Sequence, residues 1–345
     1  MKTDDLRISR VRPLLAPAIL SEEFPLSDSA ARFIDGSRRA IEAIISGSDS
    51  RLLVVVGPCS IHDPKAALEY AERLLQLSQR VSDRLFLVMR VYFEKPRTVV
   101  GWKGLINDPD MDGSYHINKG LRLARELLVE IAALGIPAGT EFLDTTFGQF
   151  YADLISWGAI GARTVESQVH RELASGLSVP VGFKNRTDGN LQVAVDAILA
   201  ARARHLFPSL TKEGAPAILE TTGNPFGHLV LRGGSDGPNY QAGHVADARA
   251  LLAAAELPEA LMIDCSHANS HKDPLRQADV VTDVAMQIGA GETAIRALML
   301  ESHLIEGRQT PGSGLTYGQS ITDGCLGWER TETLIEQLAG SLGKS

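Results

Sequence analysis

The feature that most restricts what this chain can fold into is a rhythm. Short continuous apolar runs alternate with stretches of helical periodicity, eight times over from residue 52 onward. Leu52–Val56, Leu85–Met89, Ala138–Phe142, Ala159–Ala162, Val179–Phe183, His228–Leu231, Leu261–Ile263 and Ala297–Leu300 read as strands. Unbroken apolar runs of this length are the mark of strands covered on both faces. Between them, helices are predicted from Pro64 (capped by Asp63), over Lys119–Leu134, Phe150–Trp157 and Gln168–Ala174, over Asn190–Ala203 with Asn190 as cap, and over Val245–Ala255 and Asp279–Ile288. A last helix is expected over Arg330–Leu338, and a further strand-like stretch at Ala217–Thr221. Strands joined by long helical crossovers predict a closed parallel (β/α)8 barrel, residues 51–345. Residues 1–50 read as an N-terminal extension, an arm followed by a helix over Ala30–Ser46, of the kind that packs on its own or a neighbouring subunit.

The strand ends carry the chemistry. Cys59, Arg90, Glu141, Arg163, Lys184, Arg232, His267 and Glu301 follow or close the eight strands in turn. Active sites of such barrels are built at the C-terminal rim, whereas a doubly wound sheet, the alternative, gathers its polar residues at one switch point. The second strand runs into MRVYFEKPRTVVGWKG, placing Arg90, Lys95, Arg97 and Thr98 beyond an apolar run. Guanidinium matches phosphate and carboxylate with a planar fork, and a lysine ammonium also has a proton to give. Arg90, Lys95, Arg163, Lys184 and Arg232 on one rim call for multiply charged anions, hence two phosphorylated substrates. A structural ion-pair network with Glu141, Asp144 and Glu166 is the competing account. Cys59, His267, Glu301 and Asp323 together offer thiolate, imidazole and two carboxylates, a donor set for Mn, Fe, Co or Zn. Each alone has a plainer role, such as a buried inert thiol or a structural histidine.

Composition narrows the partners. The formal charge is −8 and the pI near 5.6, so neither nucleic acid nor membrane is an expected partner, and local basic clusters stand out as sites. Three scattered cysteines, Cys59, Cys265 and Cys325, argue against a disulfide framework and for a reducing, cytoplasmic setting. The early apolar run Leu14–Leu20, broken by Pro17, is no signal peptide.

Long ordered motifs then carry a resemblance. GPCSIHD, MRVYFEKPRTVVGWKGLINDPDMDGSY, GTEFLDT, GARTVESQVHRELASGLSVPVGFKNRTDGN, LRGG, DCSHANSHKD, ESHLIEG and YGQSITDGCLGWE closely resemble the 3-deoxy-D-arabino-heptulosonate 7-phosphate (DAHP) synthases of the aromatic-amino-acid-regulated class. The resemblance covers nearly the whole chain. It implies a (β/α)8 barrel with an N-terminal extension and an added hairpin between the fifth and sixth barrel strands. It implies a divalent metal on Cys59, His267, Glu301 and Asp323. Phosphoenolpyruvate cations fall on Arg90, Arg163, Lys184 and Arg232, with Lys95 between the substrates; Lys95 is the expected proton donor to the nascent alkoxide, with a metal-bound water as the alternative. Lys95, Arg97 and Thr98 fall in the motif that contacts erythrose 4-phosphate, and Glu141 matches the acidic residue near the attacking water. Arg186 departs from the pattern, since close relatives tend to have glycine there.

An aromatic effector pocket is also implied, at positions matching Asp144, Gly148, Gln149, Leu173, Leu177, Ser178, Phe207 and Ser209. Ser209 is unlike the tyrosine-sensitive branch. Gly148, where the phenylalanine-sensitive branch tends to have proline, resembles the tryptophan-sensitive one. A homodimer or homotetramer is expected. The nearest rival on the same barrel is octulosonate 8-phosphate synthase, which takes a five-carbon sugar phosphate; the KPRT stretch favours the four-carbon one.

Overall fold

Eight strands pair in parallel and close on themselves. The computed structural model describes residues 3–312 and 314–342. Its strands are β1 (Leu52–Gly57), β2 (Leu85–Arg90), β3 (Ala138–Glu141), β4 (Trp157–Ile160), β5 (Val181–Lys184), β6 (Leu206–Leu210) and β7 (Pro216–Glu220). They continue with β8 (Gly227–Leu231), β9 (Leu261–Asp264), β10 (Ile295–Glu301), β11 (Ile305–Arg308) and β12 (Gln319–Ser320). The barrel runs β1-β10-β9-β8-β5-β4-β3-β2 and closes back on β1, the fold that the alternation predicted. Leu53 lies opposite Ala297 at one side of the closure and opposite Phe86 at the other.

The apolar strands are continuous because both faces are covered. In β1, Leu53 and Val55 join an inner cluster with Val88, Trp157, Val230, Met262 and Met299, while Leu52, Val54 and Val56 pack outward with the helix residues. Trp157 fills the barrel at the expense of its neighbours: a Cβ on Gly182 would lie 2.7 Å from the indole, and one on Gly139 3.2 Å from it. Its indole N–H donates to Nε2 of buried His228 at 3.2 Å, which satisfies the one polar group the ring brings inside.

The helices are α1 (Pro17–Glu23), α2 (Asp28–Ser46), α3 (Pro64–Val81), α4 (Ile117–Leu134), α5 (Gly148–Tyr151), α6 (Gln168–Gly176), α7 (Gln192–Arg202), α8 (Ala242–Ala254), α9 (Gln277–Gly289) and α10 (Trp328–Ser341). Asp63 caps α3 by accepting from the N–H groups of Lys65 and Ala66, with Pro64 in the first turn. Ser27 caps α2, and Gly47 ends it at φ 80°, a left-handed turn that favours glycine. This helix lays Ile41, Ile44 and Ile45 against the inner cluster, so it seals the barrel at the N-terminal ends of its strands. Burying three isoleucines stabilises that closure by several kcal/mol, about 2 per side chain.

The structure departs from the sequence reading in a few places. The helix expected over 150–157 is only α5 and a short 3-10 turn, Ala152–Leu154; Trp157 already belongs to β4, because the barrel interior takes the indole. Asn190 precedes the cap position of α7 but still accepts the Val193 N–H at 3.3 Å. The hairpin is β6 paired antiparallel with β7, between β5 and β8. Its tip is held by α1, where the Ala18 N–H donates to the Lys212 carbonyl at 2.7 Å. No helix among the described residues is long and apolar enough to cross a membrane.

Candidate active site

The strand ends meet at one mouth of the barrel. Ligand atoms of Cys59, Glu301 and Asp323 all lie within 4.8 Å of one another. Cys59 follows β1, Glu301 closes β10 and Asp323 comes from the loop after β12, so closure of the barrel and the return of that loop assemble the group. His267 stands beside it, with Nε2 3.9 Å from Glu301 Oε1. Its other nitrogen is engaged: Nδ1 lies 2.9 Å from Asp264 Oδ2 and 2.8 Å from Ser266 Oγ. A histidine whose Nδ1 is held by a carboxylate presents Nε2 in fixed orientation, the usual arrangement behind a metal ligand. Thiol, imidazole and two carboxylates thus fit a borderline divalent cation. Burial, with the Glu301 charge, pushes the Cys59 thiol up, while the Lys95 and Arg90 charges beside it work the other way.

Cations surround this group. Arg90 is fully buried, its guanidinium 3.1 Å from Glu301 Oε1, 2.7 Å from Met299 Sδ and stacked 3.9 Å over the Tyr92 ring. Lys95 donates to Cys59 Sγ at 3.1 Å. Burial works against the Lys95 ammonium, but neighbouring Cys59 and Glu301 hold its pKa above the ordinary lysine value. Lys184 reaches Asp264 at 3.0 Å. Burial works against the Asp264 carboxylate too, yet His267 and Lys184 hold it well below the ordinary range. Arg232 is different. Burial lowers its pKa, and among the charges around it Arg163 adds to that effect while Asp264, Glu301 and Asp323 oppose it. Two guanidiniums that repel each other across a half-buried rim favour an incoming anion. Glu141, at the end of β3, sits against β4, where a Cβ on Gly161 would collide with its carboxylate. Arg97 and Thr98 stand in the exposed loop beyond, Arg97 Nε donating to the Trp102 carbonyl at 2.7 Å.

Sequence reasoning missed Asp264, the acid beneath Lys184 and His267. Its signal was present, an acidic residue closing an otherwise apolar strand just before a histidine. Arg186 spans two rim loops, pairing with Glu166 at 2.8 Å and with Asp188 at 2.9 Å.

A second cavity of about 750 Å³ opens away from the rim, between α5, α6 and the β6–β7 hairpin. Gly148, Gln149, Leu173, Leu177, Ser178 and Phe207 line it, along with Arg38 and Lys212, which the sequence did not single out. Asp144 and Ser209 are not in its lining. Asp144 instead caps the turn before α5, accepting from the N–H groups of Thr146 and Phe147 at 2.7 and 3.1 Å. Ser209 lies on β6 opposite Ala217.

The profile of the DAHP synthetase I family matches residues 23–336. This chain belongs to that family. Among DAHP synthetase relatives, a "Phospho-2-dehydro-3-deoxyheptonate aldolase, Trp-sensitive" of Enterobacter agglomerans is 59% identical, over 98% of this chain and 97% of its own. A Phe-sensitive counterpart of Escherichia coli (strain K12) is also 59% identical, over 99% of this chain and 98% of its own. The solved phospho-2-dehydro-3-deoxyheptonate aldolase of Francisella tularensis SCHU S4 superposes with a TM-score of 0.96 at 50% identity, covering 97% of this chain and 98% of that one.

Proposed function

We propose that this family member condenses phosphoenolpyruvate with D-erythrose 4-phosphate to DAHP and inorganic phosphate, the first step of the shikimate route to aromatic amino acids. One observation carries the reading: a thiol, an imidazole and two carboxylates converge at the barrel mouth with Arg90, Lys95, Lys184 and Arg232 around them. A divalent ion held by Cys59, His267, Glu301 and Asp323 (Mn, Fe, Co or Zn) supplies, when bound, Lewis-acid polarisation of the aldehyde oxygen.

The chain's own residues do the rest. Arg163, Lys184 and Arg232 bind the phosphate of phosphoenolpyruvate, and Arg90 completes the cationic wall. Carbon 3 of phosphoenolpyruvate forms the new bond to the aldehyde carbon, and water adds at carbon 2 on the side of Glu141. Lys95 gives its proton to the alkoxide that forms from the aldehyde. Arg97 and Thr98 hold the phosphate of erythrose 4-phosphate. The C–O bond from carbon 2 then breaks, and phosphate leaves among the cations that bound it.

The test is phosphate release from phosphoenolpyruvate with added Mn, offering either erythrose 4-phosphate or a five-carbon sugar phosphate. Release with the four-carbon sugar supports the reading. Preference for the five-carbon sugar replaces it with the octulosonate chemistry, and no release with either retires it.

The second cavity supports an aromatic amino acid effector, with tryptophan favoured because residue 148 is glycine; its volume suits a ligand of that size. The extension, residues 1–50, offers exposed Leu6, Ile8 and Val11 for a contact between copies in a homodimer or homotetramer. Three buried free cysteines favour the cytoplasm.

A further inference from the structure

Lys184, Arg232 and His267 project from β5, β8 and β9, three neighbouring strands of the barrel. Parallel pairing ends with Lys184 opposite Val230 and Leu231 opposite Ile263, so Arg232 and His267 lie beyond the paired strands. The last backbone link between β5 and β8 is the Asn185 N–H to the Val230 carbonyl at 3.0 Å, and past it the spacing of the strand ends must be fixed by side chains.

Three asparagine side chains take over there. Asn185 Oδ1 accepts the Arg232 N–H at 2.9 Å and the Asn239 amide at 3.2 Å. Asn185 Nδ2 donates to the carbonyls of Arg186 at 2.8 Å and Gly233 at 3.0 Å. Asn239 Oδ1 accepts the Gly233 N–H at 2.7 Å, and the Asn239 N–H donates to Asn269 Oδ1 at 2.8 Å. Asn269 Nδ2 closes the series on the carbonyls that end β8 and β9, Leu231 at 3.1 Å and Asp264 at 2.8 Å. The three residues are 0, 8 and 2% exposed, so each of these bonds is shielded from competing water.

We propose that Asn185, Asn239 and Asn269 are positioning residues that set the spacing of Lys184, Arg232 and His267 and thereby the affinity of the rim for the phosphorylated enol substrate. The choice of amide is chemical. An amide both donates and accepts, so one residue bridges an N–H of one strand end to a carbonyl of another. It does so without charge, whereas an aspartate at these places would neutralise the cations that attract the anion. None of the three asparagines needs to touch substrate to do this.

The inference rests on the synthase reading, and the experiment separates the two. Asn239→Ala removes the link in the middle of the series without altering any charged rim residue. Initial rates are measured with phosphoenolpyruvate and erythrose 4-phosphate each varied at saturating levels of the other. The expected result is a KM for phosphoenolpyruvate raised about tenfold or more, with kcat and the KM for erythrose 4-phosphate within about threefold of the parent. Asn224→Ala serves as the comparison: Asn224 is also buried and donates to the Ala174, Leu177 and Val179 carbonyls, away from the rim. It should lower thermal stability while leaving the KM for phosphoenolpyruvate unchanged. Should Asn239→Ala not fold, Asn239→Leu, which keeps the bulk but neither donates nor accepts, is read in the same way. A folded Asn239 variant with a KM for phosphoenolpyruvate within about twofold of the parent overturns the inference, as does an equal rise in both KM values. A parent that turns over neither substrate overturns the synthase reading instead.

Discussion

Glu94 should set part of the pH dependence of stability. It follows β2, one residue before Lys95, is 5% exposed and accepts the Asp144 N–H at 3.3 Å. Burial raises its pKa from an ordinary 4.5 to about 8, with the Asp144 and Glu141 charges adding and the Asp144 N–H opposing. Between those values the unfolded chain has released the proton and the folded one has kept it. Raising the pH therefore favours the unfolded state: the effect is absent below pH 4.5, grows through neutrality and is complete above about 8. Each pKa unit is worth about 1.4 kcal/mol, so the full loss is about 5 kcal/mol before local relaxation reduces it. Glu94→Gln keeps the shape and the acceptor but cannot ionise. Unfolding entropy of about 2.1 cal/mol/K per residue makes 5 kcal/mol worth about 7 °C in a chain of 345 residues. The melting temperatures of parent and variant, measured at one protein concentration, should nearly coincide at pH 5. The variant should lead by about 5 °C or more at pH 9. A difference that stays within about 2 °C from pH 5 to 9 would refute the reasoning, because Glu94 would then be ionising in the fold without cost.

Other outcomes are equally direct. Lys95→Met should lower turnover far more than it weakens phosphoenolpyruvate binding; single-turnover rates within about tenfold of the parent would rule out Lys95 as the proton donor. Chelation should abolish activity and Mn restore it, while Cys59→Ser should lose activity yet keep its far-UV circular dichroism; full turnover by metal-stripped protein would contradict the ligand set. Gly148→Pro should shift inhibition from tryptophan toward phenylalanine, since a Cβ there meets the buried Phe142 ring at 3.3 Å and α5, one wall of the second cavity, must give; the same inhibition profile in both proteins would remove residue 148 from effector choice.

How far the sequence can be read depends on where each signal resides. The barrel strands are legible because helices outside and side chains inside force every residue of a run such as Leu52–Val56 to be apolar. β6 is not: LFPSL carries a proline, and its first residue, Leu206, is 58% exposed because the hairpin stands off the barrel. Trp157 misled because a tryptophan followed by glycine reads as a helix end, whereas here the glycine's neighbour is the largest side chain of the interior. Cys59, Glu301 and Asp323 were legible as types but not as neighbours, since only closure of the barrel joins residues so distant in sequence. Asn185, Asn239 and Asn269 gave no signal, because an asparagine in a loop reads as a turn former whether or not it bridges two strands. Arg38 and Lys212 escaped for a similar reason: α2 and the hairpin bring them to the second cavity from opposite parts of the chain.

The stopper formed by α2 has a consequence for how the molecule is made. Its isoleucines leave the ribosome before any barrel strand, yet the surface that receives them includes Ala297 and Met299, which are synthesised near the end. For most of translation that greasy ridge has nowhere to dock, so the first long helix is among the last to find its final seat. The finished molecule is correspondingly two-ended: reactants come and go through one opening, while the other is shut by a piece of chain that must wait for the whole ring to close.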